Sequence, residues 1–139
     1  MWQEYQSAWT EYRRAESRLR CLADQREELE VSLGPSAIRY DKDIVQTSRE
    51  DHTTAVLAKI ADLNILIREA ESTVRIRRDI MLRKREGLRE SPDIRDRIYC
   101  LYFINHVGVR RIARTIGYSR SQVFRIIQKM RLNATNTGI

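Results

Sequence analysis

The chain has 139 residues, of which 32% are charged, and its formal net charge is +7. Only 5 glycines and 2 prolines are present, which is too little turn chemistry for an all-β sandwich or barrel, so the composition predicts an all-α protein with long helices. No run of about 18 apolar residues occurs, and the first residues lack the basic and apolar regions of a signal peptide. We therefore expect neither a membrane span nor export.

The first predicted element is a helix from Trp2 to Leu33, a stretch without glycine or proline. Its apolar residues recur mostly at steps of three, four or seven, which places them along one stripe of a helix: Trp2, Tyr5, Trp9, Tyr12, Leu19, Leu22, Leu29 and Leu33. Gly34-Pro35 is predicted to end this helix. Residues 34–50 show no sustained helical period, and we predict a connecting loop with some internal order, because long structureless loops are uncommon.

A second helix is predicted to begin near residues 48–51 and to run to about Glu90. Its apolar residues follow the steps of four and three of a coiled-coil seam, in which Ala70 fills one position and Arg77 interrupts another. The predicted seam residues are Val56, Ile60, Leu63, Ile67, Val74 and Met81. Other apolar residues lie off this seam, and such a helix usually contacts more than one partner helix. Residues 1–91 are therefore predicted to form a helical hairpin, a coiled-coil arm whose seam makes a homodimer or higher homo-oligomer. A purely intramolecular support is the alternative.

The last part of the second helix carries a basic run that allows two interpretations: Arg75, Arg77, Arg78, Arg83, Lys84, Arg85 and Arg89. It is either an additional contact to nucleic-acid phosphates or a solvated face. In the second case its partners would be acids of the first helix, such as Glu27, Glu28 and Glu30.

The basic excess of the chain is concentrated in its last third. Residues 92–139 hold 9 Lys and Arg against 2 Asp and Glu, whereas residues 1–91 hold 17 of each. Such an asymmetry indicates nucleic-acid binding, because neutralisation of phosphates drives that binding. Ser91-Pro92-Asp93 is predicted to start a helix that ends at His106–Gly108.

Residues 109–130 match the spacing of a helix-turn-helix unit. Ala113 is small enough for two helices to cross closely, and Gly117 follows four residues later, where the turn requires a positive φ. Ser119 is predicted to cap the second helix, and Val123 and Ile126 are predicted to point inward. Residues 92–139 are therefore predicted to form a trihelical helix-turn-helix domain that binds double-stranded DNA.

The inward residues define the opposite, outward face of the second motif helix. Arginine suits guanine edges, glutamine suits adenine, and phenylalanine suits the thymine methyl group, so the predicted base-reading residues are Arg120, Ser121, Phe124, Arg125 and Gln128. The predicted phosphate contacts are the polar residues around them: Arg110, Arg111, Arg114, Ser119, Gln122, Lys129 and Arg131.

The sequence contains no arrangement that is typical of an enzyme. Cys21, Cys100, His52 and His106 lack metal-ligand spacing, and we see no nucleophile–base pair or phosphate-binding loop. We therefore expect reduced thiols, no cofactor, no metal and no enzymatic activity.

With these motifs, the chain resembles the ArpU/RinA-type late-gene transcriptional activators of temperate phages from Gram-positive hosts. The resemblance covers roughly residues 35–132. It depends on the helical region, on LYFI at 101–104 and on RIARTIGYS at 111–119, which is also similar to region 4 of sigma factors. It implies promoter binding, stimulation of late phage genes, contact with host RNA polymerase and a location in the bacterial host cytoplasm.

Two alternatives belong to other functional classes. Small phage packaging proteins of the small-terminase type also join a helix-turn-helix to an oligomerising helical region. A helical module that only holds a protein partner is the other alternative.

Overall fold

The computed structural model describes residues 1–34 and 43–136, with side chains described for 1–34 and 51–133. Every secondary-structure element of those residues is helical, which confirms the predicted all-α class. The elements are α1 (Trp2–Ser32), α2 (Asp43–Glu90), α3 (Ile94–Tyr99), a π-helical segment that continues α3 (Cys100–Ile104), α4 (Val109–Ile116) and α5 (Arg120–Asn136). They fall into two compact units: Thr10–Asp79, called here the hairpin unit, and Met1–Trp9 with the chain from Ile80 onward, called the C-terminal unit.

α2 begins at Asp43, which is earlier than the predicted start. The predicted loop over 34–50 is therefore wrong for residues 43–50, whereas residues 35–42 lie outside the described part of the chain. No glycine or proline occurs in residues 43–50, so the sequence there contains no strong helix breaker. A lack of apolar periodicity was thus not sufficient to exclude a helix.

In the hairpin unit, α1 and α2 pack in the predicted antiparallel direction. Arg77 Nη1 donates to Glu11 Oε2 over 2.6 Å, and Arg26 Nη1 donates to Asn64 Oδ1 over 3.2 Å. A later residue of α1 therefore contacts an earlier residue of α2, which defines an antiparallel pair.

The 4-3 seam of α2 is covered within the single chain. Val56 and Ile67 are each 5% exposed, and the remaining seam residues of the hairpin unit are half-buried: Ile60, Leu63 and Val74. Met81, in the C-terminal unit, is also buried. These side chains thus contribute to the packing within the chain, and their role in joining two copies of the chain stays a prediction.

The C-terminal unit contains the predicted helix-turn-helix. Ile98 of α3, Ile112 of α4 and Val123 of α5 are fully buried, and Ala113 and Ile127 complete their cluster. Apolar side chains from α3, α4 and α5 therefore pack together into one small core, as predicted for a trihelical domain.

The start of α1 belongs to this same unit, which moves the domain boundary away from the predicted position between residues 91 and 92. The Trp2 ring stacks on Tyr99 with centroids 5.4 Å apart, and Tyr5 meets Tyr99 edge-on at 5.9 Å. Tyr99 stacks in turn on Phe103 at 4.9 Å. The aromatic start of the chain thus packs on α3 and the π-helical segment, while Trp9 stays 42% exposed.

A buried carboxylate joins the two ends of this unit. Asp96 is 3% exposed, and its oxygens accept the backbone N–H of Trp2 at 3.0 Å and the Ser91 hydroxyl at 2.8 Å. Asp93 caps α3, because its side chain accepts the backbone N–H of Arg95 at 3.0 Å. The carboxylate of Asp96 satisfies one of the unpaired N–H groups that begin α1.

Candidate nucleic-acid interface

The turn between α4 and α5 sets the direction of the second motif helix. Gly117 adopts φ 82°, in the left-handed region, and its N–H donates to Ala113 O at 2.8 Å. Ser119 and Gln122 then form a reciprocal capping box. Gln122 N donates to Ser119 Oγ at 3.2 Å, and Ser119 N donates to Gln122 Oε1 at 3.1 Å. The predicted positive φ and the predicted cap are both confirmed.

The core contacts of α5 determine which side faces outward. Val123 is fully buried, Ile127 is 2% exposed and Met130 is 4% exposed. Ile126, predicted to point inward, is half-buried and packs against the same cluster. Since these residues repeat at helical spacing, the residues between them must project to the other side.

Four of the five predicted base-reading residues come together on that outer side. Arg120, Ser121, Phe124 and Arg125 are exposed and line an open concavity with Val109 at the start of α4. The Phe124 ring is 54% exposed although it is large and apolar. Gln128 is half-buried and does not line the concavity.

All seven predicted phosphate contacts are exposed, but three of them already have partners: Ser119 and Gln122 in the capping box, and Arg131. Gln122 Oε1 accepts hydrogen bonds in the capping box, which leaves its amide N–H groups to face a ligand. Arg131 Nη2 donates to the Tyr102 hydroxyl at 2.6 Å, and its guanidinium also lies 5.5 Å from the centre of the Tyr102 ring. Arg131 therefore holds the end of α5 against the π-helical segment. The other four phosphate candidates are Arg110, Arg111, Arg114 and Lys129.

The electrostatics of α4 and α5 are uniformly basic. Residues 109–136 contain no Asp or Glu, and six of their basic residues form no ion pair with a described residue: Arg110, Arg111, Arg114, Arg120, Arg125 and Lys129. Their guanidinium and ammonium groups are therefore not neutralised by carboxylates. A surface with this charge attracts polyanions.

Within residues 1–34 and 51–133, no group of three or more His, Cys, Asp or Glu side chains could hold a metal ion. No helix of these residues is long and apolar enough to cross a membrane.

Sequence reasoning missed the contribution of the N-terminal residues to this unit. Trp2 and Tyr5, three residues apart in α1, both contact Tyr99 of α3. Tyr99 also stacks on Phe103, four residues later in the chain. Both spacings are visible in the sequence, but nothing local indicates that the two faces pack together.

Comparison with profiles of known protein families, with curated proteins and with solved structures finds no significant match to this chain.

Proposed function

We propose that this protein is a sequence-specific, double-stranded DNA-binding transcriptional regulator without enzymatic activity. The main support for this proposal is the outer face of α5, where one concavity is lined by Arg120, Ser121, Phe124 and Arg125. Neither α4 nor α5 contains Asp or Glu. A helix-turn-helix presents its second helix to the major groove, so this face meets the base edges.

The chemistry of the face matches the groups of the major groove. Arg120 and Arg125 present guanidinium forks that suit guanine O6 and N7, and the exposed Phe124 ring suits a thymine methyl group. Arg110, Arg111 and Arg114 on α4 suit phosphate oxygens, which orient the protein on the duplex. Ser119 and Lys129 add polar groups beside them.

A more specific role follows from the sequence resemblance to phage late-gene activators. We propose that the protein is a phage or prophage late-gene activator that acts in the bacterial host cytoplasm as a homo-oligomer and contacts host RNA polymerase. Helix-turn-helix folds serve many functions, so only the sequence resemblance supports the role of late-gene activator. The proposal of DNA binding is supported separately, by the exposed basic face of α4 and α5.

The test separates base reading from phosphate binding. A duplex site selected from random sequences by the wild-type protein is compared with a scrambled duplex at one fixed salt concentration. Arg120→Ala or Arg125→Ala should cost about 1–3 kcal/mol on the selected site and much less on the scrambled one. Arg110→Ala and Lys129→Ala, the matched controls, should weaken binding to both duplexes about equally.

Equal losses of affinity for both duplexes in Arg120→Ala and Arg125→Ala would contradict the proposal that these two arginines contact base edges. A second readout is salt dependence, since about six phosphate contacts should cost roughly a thousandfold in affinity between about 50 and 200 mM salt. A flat salt profile, or no duplex binding at low salt, would contradict DNA binding itself.

A further inference from the structure

The basic run at the C-terminal end of α2 is only partly neutralised by α1. Arg77 pairs with Glu11 at 2.6 Å, and Lys84 pairs with Glu4 at 3.0 Å. The acids that the sequence offered as partners, Glu27, Glu28 and Glu30, form no ion pair with this run in the described residues. The antiparallel direction explains this, because the residues of α1 around Arg26 lie beside Asn64, near the other end of the hairpin unit.

Five arginines of the run form no ion pair with a described residue, and three of these five lie in the C-terminal unit. Arg83, Arg85 and Arg89 are exposed and form no hydrogen bond or ion pair with any described residue. All three lie in the C-terminal unit, which also contains α4 and α5. Arg85 and Arg89 are four residues apart, so they project from the same face of the helix.

The position of this pair is fixed by its neighbours in the C-terminal unit. Burial raises the pKa of the Cys100 thiol, the nearby guanidinium groups of Arg85 and Arg89 act in the opposite direction, and Glu86 adds to the rise. Arg85 has the same opposing effect on Tyr5, whose pKa is raised by burial. The two arginines thus lie close to the junction of α3 with the π-helical segment.

The surrounding charge strengthens their attraction for an anion. The C-terminal unit holds 13 Lys and Arg against 5 Asp and Glu. Of the five acids, Asp96 is buried in hydrogen bonds to Trp2 and Ser91, and Glu4 is paired with Lys84. Glu86 and Glu90 directly follow Arg85 and Arg89 in the chain, but neither forms an ion pair with them.

We propose that Arg85 and Arg89 form a second phosphate contact on the duplex that α5 reads, an inference that rests on the proposed DNA binding. Exposed arginines on a rigid helix suit this role, since they bind phosphate oxygens without reading sequence. The contact adds affinity through counterion release and leaves the base preference of α5 unchanged.

The experiment compares the full-length wild type with Arg85→Gln/Arg89→Gln on a mixed-sequence duplex of about 30 base pairs, roughly three helical turns. Fluorescence anisotropy gives the affinity at a series of salt concentrations. The double variant should bind more weakly, and its slope of log K against log salt should be smaller in magnitude by about 2, because each phosphate contact contributes about 0.9. Arg85→Lys/Arg89→Lys, which keeps both charges, should retain most of the slope.

Arg14→Gln/Arg20→Gln is the matched control, because it removes two exposed arginines from the hairpin unit. It should leave the slope close to the wild-type value. An unchanged slope in Arg85→Gln/Arg89→Gln, or an equal decrease in the control pair, would overturn the second contact while wild-type binding still supported the proposed function. Absence of wild-type binding would overturn both.

Discussion

At the scale of single residues, Gly117 adopts a backbone conformation that is unfavourable for residues with a Cβ atom. Its φ of 82° lies in the left-handed region, yet a Cβ added there would meet no atom within 4 Å. The cost of a side chain at this position is therefore a backbone cost alone. Gly87 offers a comparison, because its Cβ would also meet nothing within 4 Å, but it lies inside α2.

Gly117→Ala should lower the free energy of unfolding by about 1–2 kcal/mol, because the left-handed conformation disfavours Cβ. Gly87→Ala should raise it by about 0.5–1 kcal/mol, since alanine is the better helix former. Urea denaturation of both variants measures the difference. Stabilisation by Gly117→Ala would show that the turn does not adopt the left-handed conformation in solution.

Tyr99 should make stability fall at alkaline pH. Burial raises the pKa of its phenol from 10.0 to about 12, so the folded state holds the proton more tightly than the unfolded chain. The resulting stability is complete below pH 10 and is lost as the pH rises towards 12. Denaturation midpoints measured from about pH 8 to pH 11 should therefore decrease, and Tyr99→Phe should reduce that decrease. Identical pH profiles for the two proteins would contradict this assignment.

At the scale of elements, α2 has apolar residues on opposite faces with different environments. Ile67 is 5% exposed on the face that packs within the hairpin unit, whereas Ile65 is 57% exposed. Leu57 and Ile76 are likewise more than half exposed. The helix is thus amphipathic towards α1, and several apolar side chains remain on its other side.

Ile67→Asp should destabilise the hairpin by about 2–4 kcal/mol, because it places a charge without a partner in the packed face. Ile65→Asp, the matched control, should change stability by no more than about 0.5 kcal/mol. Thermal unfolding followed by circular dichroism, with light scattering for the oligomeric state, distinguishes the two. Equal destabilisation would show that the outer face of α2 is also covered, by a second copy of the chain.

At the scale of the whole molecule, the chain start and the helix-turn-helix share one compact unit. Trp2, Tyr5, Tyr99 and Phe103 form a continuous aromatic group. Tyr102 extends it edge-on from Phe103 and receives Arg131 of α5. Residues from the first turn of α1 to the last turns of α5 are therefore connected through side chains.

Trp2→Ala should lower the stability of the protein by about 3 kcal/mol, since it removes a 7% exposed indole from this group. Trp9→Ala should cost less, because that indole is 42% exposed. Chemical denaturation of the two variants tests the difference. A larger loss for Trp9→Ala would contradict the packing of the chain start on α3.

The sequence alone determined the features that depend on neighbours within a few turns of the chain. The helical class, the left-handed turn at Gly117, the cap at Ser119 and the exposure of Arg120 and Arg125 all follow from spacing and composition. Local periodicity specifies a face, but it does not specify what covers that face.

Only the tertiary structure decided the pairings between distant residues. The seam at Val56 and Ile67 packs within one chain, Arg131 binds Tyr102, and Arg85 has no acidic partner among the described residues. The Trp2 N–H reaches Asp96 across 94 positions of the chain. Such contacts depend on how whole helices pack against one another, and sequence spacing within one helix carries no information about them.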